Sequence, residues 1–337
     1  MKMPSNNEPL LSVLVMAYRR KEFIMDAIES VLDQTISRID YEIVCVVGFH
    51  DDNLSRFFRM NNINEVFCDG TIGQTIASGL AACSSDIVVF LEDDDEFRND
   101  KLKRVIQAFK MYNCVYYHNN TELIDTNSSL ISNSISPYNV QITKSLLWNP
   151  IHGYRKVLRR RGDFNMSSIA IRKNIMDFNL LDGIETSPDS IIFFFLMQIK
   201  LPFYFDSEKT TFYRVHSDSQ TNFSIKDSSS GKMLDTSLKF YRSRLTAYEK
   251  MHFGSVQKIF LGYVLESKMG AYINGQLSLK PNSKEKFKFF LIAMSRPSKF
   301  YMKLLLATVL VGASPIYVKK IREKRVKKEV NKTKQMK

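Results

Sequence analysis

Residues 10–17 are apolar almost without a break, and so are residues 41–47 and 86–91. Runs of this length without polar alternation predict strands covered on both faces. Between the first two, Phe23, Ile24, Ala27, Ile28, Val31 and Leu32 recur at helical spacing and predict a helix over 21–34. The same reading gives a short helix over 51–60, a short strand over 65–68 and a small-residue helix over 74–83. A helix over 99–111 and a strand over 114–117 follow. Strand–helix alternation with short links predicts an α/β domain built on a parallel sheet with helices on both faces.

Past residue 119 the pattern loosens. Residues 119–150 are rich in Asn and Ser and weakly periodic, which predicts a long loop. Five basic residues crowd residues 155–161. A strand is expected over 168–172 and a very apolar helix over 190–199, with Ser187 as N-cap and Pro188 at the first helical position. Residues 203–205 and 211–215 read as two strands. The polar stretch 226–232 reads as a flexible link. It divides the chain into an expected domain 1–225 and a helical, basic C-terminal region 226–337.

Charge changes the picture of that second region. The 337-residue chain has a net charge of +13, yet residues 1–280 hold 32 basic and 32 acidic groups. The excess lies in residues 281–337, with 16 Lys/Arg against 3 Asp/Glu. An electrically neutral body argues against a nucleic-acid binder, and the tail lacks the interleaved aromatics of a base-stacking surface. Within the tail, apolar residues 287–294 and 304–318 alternate with Lys and Arg. The second stretch contains Pro315 and falls short of the roughly 20 residues a spanning helix needs. The composition suits a helix lying in the membrane interface with its basic face on anionic lipid. A peripheral or monotopic protein at the cytoplasmic face of the cell membrane is therefore expected. The polar first eight residues predict no secretory leader. The cysteines at 45, 68, 83 and 114 form no C-x-x-C pair and read as buried thiols.

The candidate chemistry lies at the end of the third apolar run. Glu92, Asp93, Asp94, Asp95 and Glu96 follow it directly. Five adjacent carboxylates are tolerable on a solvated loop or around a divalent cation. Ligands of open α/β sheets bind outside the carboxyl ends of strands. Oxygen donors there suit Mg2+ or Mn2+ on a substrate phosphate. Glu92 and Asp94, alternate residues leaving a strand, are the pair expected to share one ion.

Taken in order, residues 12–20 (SVLVMAYRR), 27–35 (AIESVLDQT), 41–47 and 85–95 (SDIVVFLEDDD) resemble the family 2 glycosyltransferases. The resemblance covers roughly residues 10–222. It implies a GT-A fold, a Rossmann-like, mostly parallel sheet, here with a helical C-terminal extension. It also implies a nucleotide-sugar donor and a DxD motif whose carboxylates hold a divalent ion on the diphosphate. That role falls on Glu92 and Asp94, with Asp93 and Asp95 as neighbours. The family's carboxylate base maps to Asp189, with Glu185 and Asp182 as fallbacks because Pro188 replaces the usual acidic neighbour. Residues 212–219 (FYRVHSDS) resemble another family stretch, which offers His216 to the metal and Arg214 to a phosphate. Ala17, Tyr18 and Arg19 would border the nucleotide, and Gly73 matches a small-residue turn. The family's Asp-Asp pair after the second strand is missing; Asp51 or Asp52 either substitutes for it or caps the next helix.

The function these residues imply is inverting, metal-assisted transfer of a sugar to a hydroxyl of a lipid-linked or surface glycan, with an Asp base. The alternative is a catalytically idle protein of the same fold that binds glycans or membranes. A nucleotidyltransferase would want a glycine-rich loop after the first strand, and residues 17–22 have none.

Overall fold

The computed structural model describes residues 8–18, 20–131, 144–150, 162–216, 230–252 and 254–295. These form two compact units divided after His216. Arg19, the basic run 155–161, the link 226–229 and the tail from residue 296 lie outside the described residues.

The first unit is built on one sheet. Its strands are β1 (Leu11–Ala17), β2 (Tyr41–Val47), β3 (Ile63–Phe67), β4 (Ile87–Glu92), β5 (Glu96–Phe97), β6 (Tyr116–Ile124), β7 (Leu146–Trp148), β8 (Ile169–Arg172) and β9 (Phe203–Arg214). Their order is β3-β2-β1-β4-β8-β6-β9-β5, with β7 also paired to β9. The β3-β2-β1-β4 half is parallel. β8 then runs antiparallel between β4 and β6, while β6 and β9 are parallel. The sheet is thus mixed at its centre and mostly parallel at one side.

The unbroken apolar runs are explained by two covered faces. Val13, Val15, Ala17, Ile43, Cys45, Val47, Val89 and Leu91 pack with α1 (Ile24–Leu32), α2 (Asp52–Met60) and α4 (Lys101–Tyr112). On the opposite face, α3 (Ile72–Ala82) brings Gly79 against Leu14 and Val46, so closely that a Cβ there would lie 2.3 Å from Leu14. A capping box between Thr71 and Gln74 starts α3. α5 (Pro188–Met197) is buried nearly all round, and Phe193 meets Tyr116, Trp148 and Phe203 edge-on or stacked.

Two expectations are corrected. The loop expected from residue 119 begins instead as strand: β6 continues to Ile124, with His118, Asn119, Asn120 and Thr121 all buried. The two short strands expected over 203–215 are one strand, β9, whose pairing with β6 shifts register around Asn120. Polar residues hid both, because each is matched by a polar partner inside the sheet. Asn119 Nδ2, for example, donates to Thr211 Oγ1 at 2.9 Å. At α5, Ser187 stands at the N-cap position with φ of 56°, but its hydroxyl does not cap the helix backbone.

The second unit contains α6 (Ser230–Lys250), α7 (Ser255–Ile273) and α8 (Ser283–Ser295). Phe289 of α8 is buried against Leu265 and Met269 of α7. Lys268 and Glu285 pair across the same helices at 2.6 Å. No helix among the described residues is long and apolar enough to cross a membrane.

Candidate active site

The acidic run leaves β4 as a tight turn. Asp95 N–H donates to the Glu92 carbonyl at 3.2 Å, which puts Asp93 and Asp94 at the tip. β5 then lies antiparallel on β9, pairing Glu96 with Phe212 and Phe97 with Thr211. The turn is therefore fixed at both ends, beside the carboxyl end of β1.

Arg214 is the post beneath it. Its side chain is fully buried. Its backbone N–H donates to Asp95 at 3.0 Å, and its guanidinium to the Asp94 carbonyl at 2.9 Å, the Asp125 carbonyl at 3.0 Å, Asp26 at 3.2 Å, and Glu96. The same guanidinium lies over the Phe23 ring. These contacts put Arg214 under the acidic turn, holding its shape.

Above the turn the partners change. Arg20 reaches Asp93 at 2.8 Å and Asp94 at 2.7 Å. His216 Nε2 lies 2.9 Å from Asp94 Oδ2 and 2.9 Å from Arg20 Nη1. Asp93, Asp94 and His216 are therefore brought together on Arg20, whereas Glu92 has its backbone N–H bonded to Ser167 Oγ at 3.0 Å.

Burial raises the cost of so many ionised carboxylates. Burial first, and then the charges of Asp94, Asp95, Asp189 and Asp93, push the Glu92 carboxyl well above the usual range. Burial and the neighbouring Asp94 push Asp93 up to about 7 against the pull of Arg20, and push Asp95 up to about 7 as well. Burial opposes ionisation of Asp94 too, but His216 and Arg20 outweigh it and hold that carboxyl below its ordinary value. Asp94 is thus the carboxylate of the cluster most strongly kept charged.

Asn165 links this cluster to the helix start of α5. Its backbone N–H donates to Asp189 Oδ2 at 3.1 Å, and its Nδ2 donates to Asp95 Oδ2 at 3.2 Å. Asp189 is half-buried, and its other oxygen accepts from Ser190 N–H at 2.8 Å and Ser187 Oγ at 3.3 Å. Lys101 Nζ supports the same turn from inside, donating to Ser167 O at 2.5 Å, Asn119 Oδ1 at 2.7 Å and Thr211 Oγ1 at 2.8 Å.

The remaining predicted residues lie around the strand ends. Ala17 is fully buried, and its carbonyl accepts from Gly48 N–H at 3.1 Å. A Cβ on Gly48 would lie 2.2 Å from the Tyr18 carbonyl oxygen, so glycine is what lets the chain leaving the two strands approach so closely. Gly73 faces the turn before α5: its N–H donates to the Ile184 carbonyl at 3.0 Å, and a Cβ there would lie 1.9 Å from Leu181 O. Of the two alternatives for Asp51, capping is the one observed. Its side chain accepts from Asn53 and Leu54 N–H at the start of α2 and pairs with Lys21 at 3.0 Å.

Sequence reasoning passed over Arg20, Asn165, Lys101 and Gly48. Arg20 stood inside the quoted opening stretch, two residues past Tyr18, and its charge beside an acidic strand end was the available signal. Nothing in the local sequence marks Lys101 or Asn165, which matter only through partners 18 to 110 residues away.

Asp94 and His216 are oxygen and imidazole donors, a set that suits a hard divalent ion with places left for phosphate. Among the described residues no group of three or more His, Cys, Asp or Glu forms a closed cage. Asp94 and His216 are the two donors such an ion would find here, and Arg20 is paired with Asp94 in this structure.

A sheet of this order, with acidic groups at the end of its fourth strand, has the architecture of a GT-A fold. Residues 12–164 match the family model described as glycosyl transferase family 2. The putative teichuronic acid biosynthesis glycosyltransferase TuaG of Bacillus subtilis is 25% identical over 179 residues, 51% of this chain and 71% of TuaG. An uncharacterized glycosyltransferase of Haemophilus influenzae is also 25% identical, over 54% of this chain and 58% of its own length. Among solved structures, S. aureus TarS 1-349 in complex with UDP superposes with a TM-score of 0.53 at 12% identity, covering 84% of this chain and 78% of that one. The TarS complex with UDP-GlcNAc superposes equally, over 85% and 81%. At that identity the likeness is one of fold.

Proposed function

We propose that this glycosyltransferase moves a sugar from a nucleotide-diphosphate sugar to a hydroxyl of a lipid-linked or surface glycan, with inversion at the anomeric carbon. The observation that carries the reading is the Asn165 bridge: one residue ties Asp189 to the acidic turn, so a base candidate and a diphosphate site share one frame. Asp189 takes the proton of the acceptor hydroxyl while that oxygen attacks the anomeric carbon. The bond from that carbon to the diphosphate oxygen breaks, and the nucleoside diphosphate leaves with the electron pair. Asp94 and His216 would hold Mg2+ or Mn2+, which supplies positive charge to the departing diphosphate. The UDP complexes of TarS make UDP-sugars the first donors to test, and the name of TuaG favours a surface-polymer acceptor. The C-terminal tail, with its basic and apolar segments, would hold the enzyme at the cytoplasmic membrane surface where such acceptors are built.

The test is nucleotide release by the full chain from a panel of nucleotide sugars with Mn2+. Asp94→Ala is expected to lower kcat/KM by about 100-fold or more. Asp189→Asn is expected to lower kcat by about 100-fold or more with little change in donor KM. Equal release by wild type and Asp94→Ala would overturn the reading. Absence of all transfer, with glycan binding indifferent to metal, would favour the idle protein instead.

A further inference from the structure

The contacts of His216 Nε2 conflict with one another. A guanidinium can only donate, so toward Arg20 the ring nitrogen offers its lone pair; toward the Asp94 carboxylate it must offer a proton. One nitrogen cannot do both at once, yet both partners lie at 2.9 Å. The lone pair turned to Arg20 and the Asp94 Oδ2 that Arg20 also reaches at 2.7 Å are the two donors a divalent ion would need. Arg20 is also the most exposed member of the cluster. Its side chain is 34% exposed, against 14% for Asp94 and 4% for His216. Arg214, by contrast, is locked beneath the turn by partners on several segments.

We propose that Arg20 is an internal stand-in for the divalent ion: it occupies the cation position on Asp93, Asp94 and His216 before the donor binds, and turns to the donor's diphosphate when the ion takes that position. This rests on the metal reading above. The exchange replaces a monovalent cation on the carboxylates by a divalent one. The carboxylates are never left uncompensated, and the guanidinium passes from two carboxylate oxygens to phosphate oxygens of similar geometry. Arg20 would thus disfavour metal binding without donor and favour donor binding with metal, coupling the two ligands.

Mn2+ binding to the full-length protein, followed by electron paramagnetic resonance of the free ion, tests this directly. Arg20→Gln is expected to bind Mn2+ about tenfold more tightly than wild type when no nucleotide is present, and Arg20→Lys to stay near wild type. Addition of UDP is expected to tighten Mn2+ binding to wild type far more than to Arg20→Gln, closing most of the gap. Unchanged or weaker Mn2+ binding by Arg20→Gln overturns the proposal. If Asp94→Asn then still abolishes binding, the metal site stands and only the role of Arg20 falls. If no variant binds Mn2+ and nucleotide release persists in chelator, both fall.

Discussion

His118 shows how much a single buried side chain can hide from a reading of sequence. It lies inside β6, 6% exposed, with its Nε2 on the Phe164 carbonyl at 2.8 Å. Burial outweighs that hydrogen bond and pulls its pKa down from 6.5 to about 4. Between those values the unfolded chain binds more protons than the folded one. Stability from this group is therefore full above pH 6.5 and lost as pH falls toward 4, with a ceiling of about 3 kcal/mol. Asp93 and Asp95, raised to about 7, act in the opposite sense and add stability as pH falls from 7 toward their ordinary range. The wild-type slope is the sum of these, so the comparison with His118→Gln isolates the histidine. Thermal melts between pH 4 and 7 are expected to show a gap between the two proteins that shifts against wild type on acidification. A constant gap would refute the burial argument.

Elements in this domain are defined by their neighbours as much as by their own residues. β1, β2 and β4 were legible within a residue or so because both faces are apolar, and burial of such a run needs no partner of special chemistry. β6 and β9 were not, since Asn119, Thr211 and Lys101 satisfy one another across 18 to 110 residues of chain. The turn before α5 depends on a glycine in another element. Gly73→Ala would drive a methyl group into Leu181 O, which backbone movement alone can relieve. A loss of about 1–3 kcal/mol in chemical denaturation is expected. Because residues 181–184 lead into the helix start that bears Asp189, kcat is expected to fall more than the remaining folded fraction explains. Activity that merely tracks the folded fraction would remove Gly73 from any positioning role.

The whole molecule separates chemistry from charge. The sheet domain carries the site, and the basic excess belongs to the chain's last 57 residues, which begin with α8. Removing everything after Lys280 would strip Phe289 from Leu265 and Met269 and Glu285 from Lys268, so a chain ending at Ser295 is the cleaner test of the tail. It keeps α8 and loses 13 of the 16 tail Lys/Arg. Such a chain is expected to leave anionic vesicles in a sedimentation assay while full-length protein pellets with them, more weakly as salt rises. Pelleting of both to the same extent would sink the interfacial-helix reading. Nucleotide release from soluble donor is expected to survive the truncation.

Local sequence was enough for the α/β class, the acidic strand end and the location of the net charge. Each depends on periodicity or composition over a few adjacent residues, and such patterns survive without knowledge of the fold. Which carboxylates face one another, that Arg20 reaches across to His216, that Arg214 is a buried post and that Asn165 joins Asp189 to the acidic turn were decided only when β1, β4, β9 and α5 were brought together. Those contacts join residues far apart in the chain, so their energies have no local pattern from which they could be read.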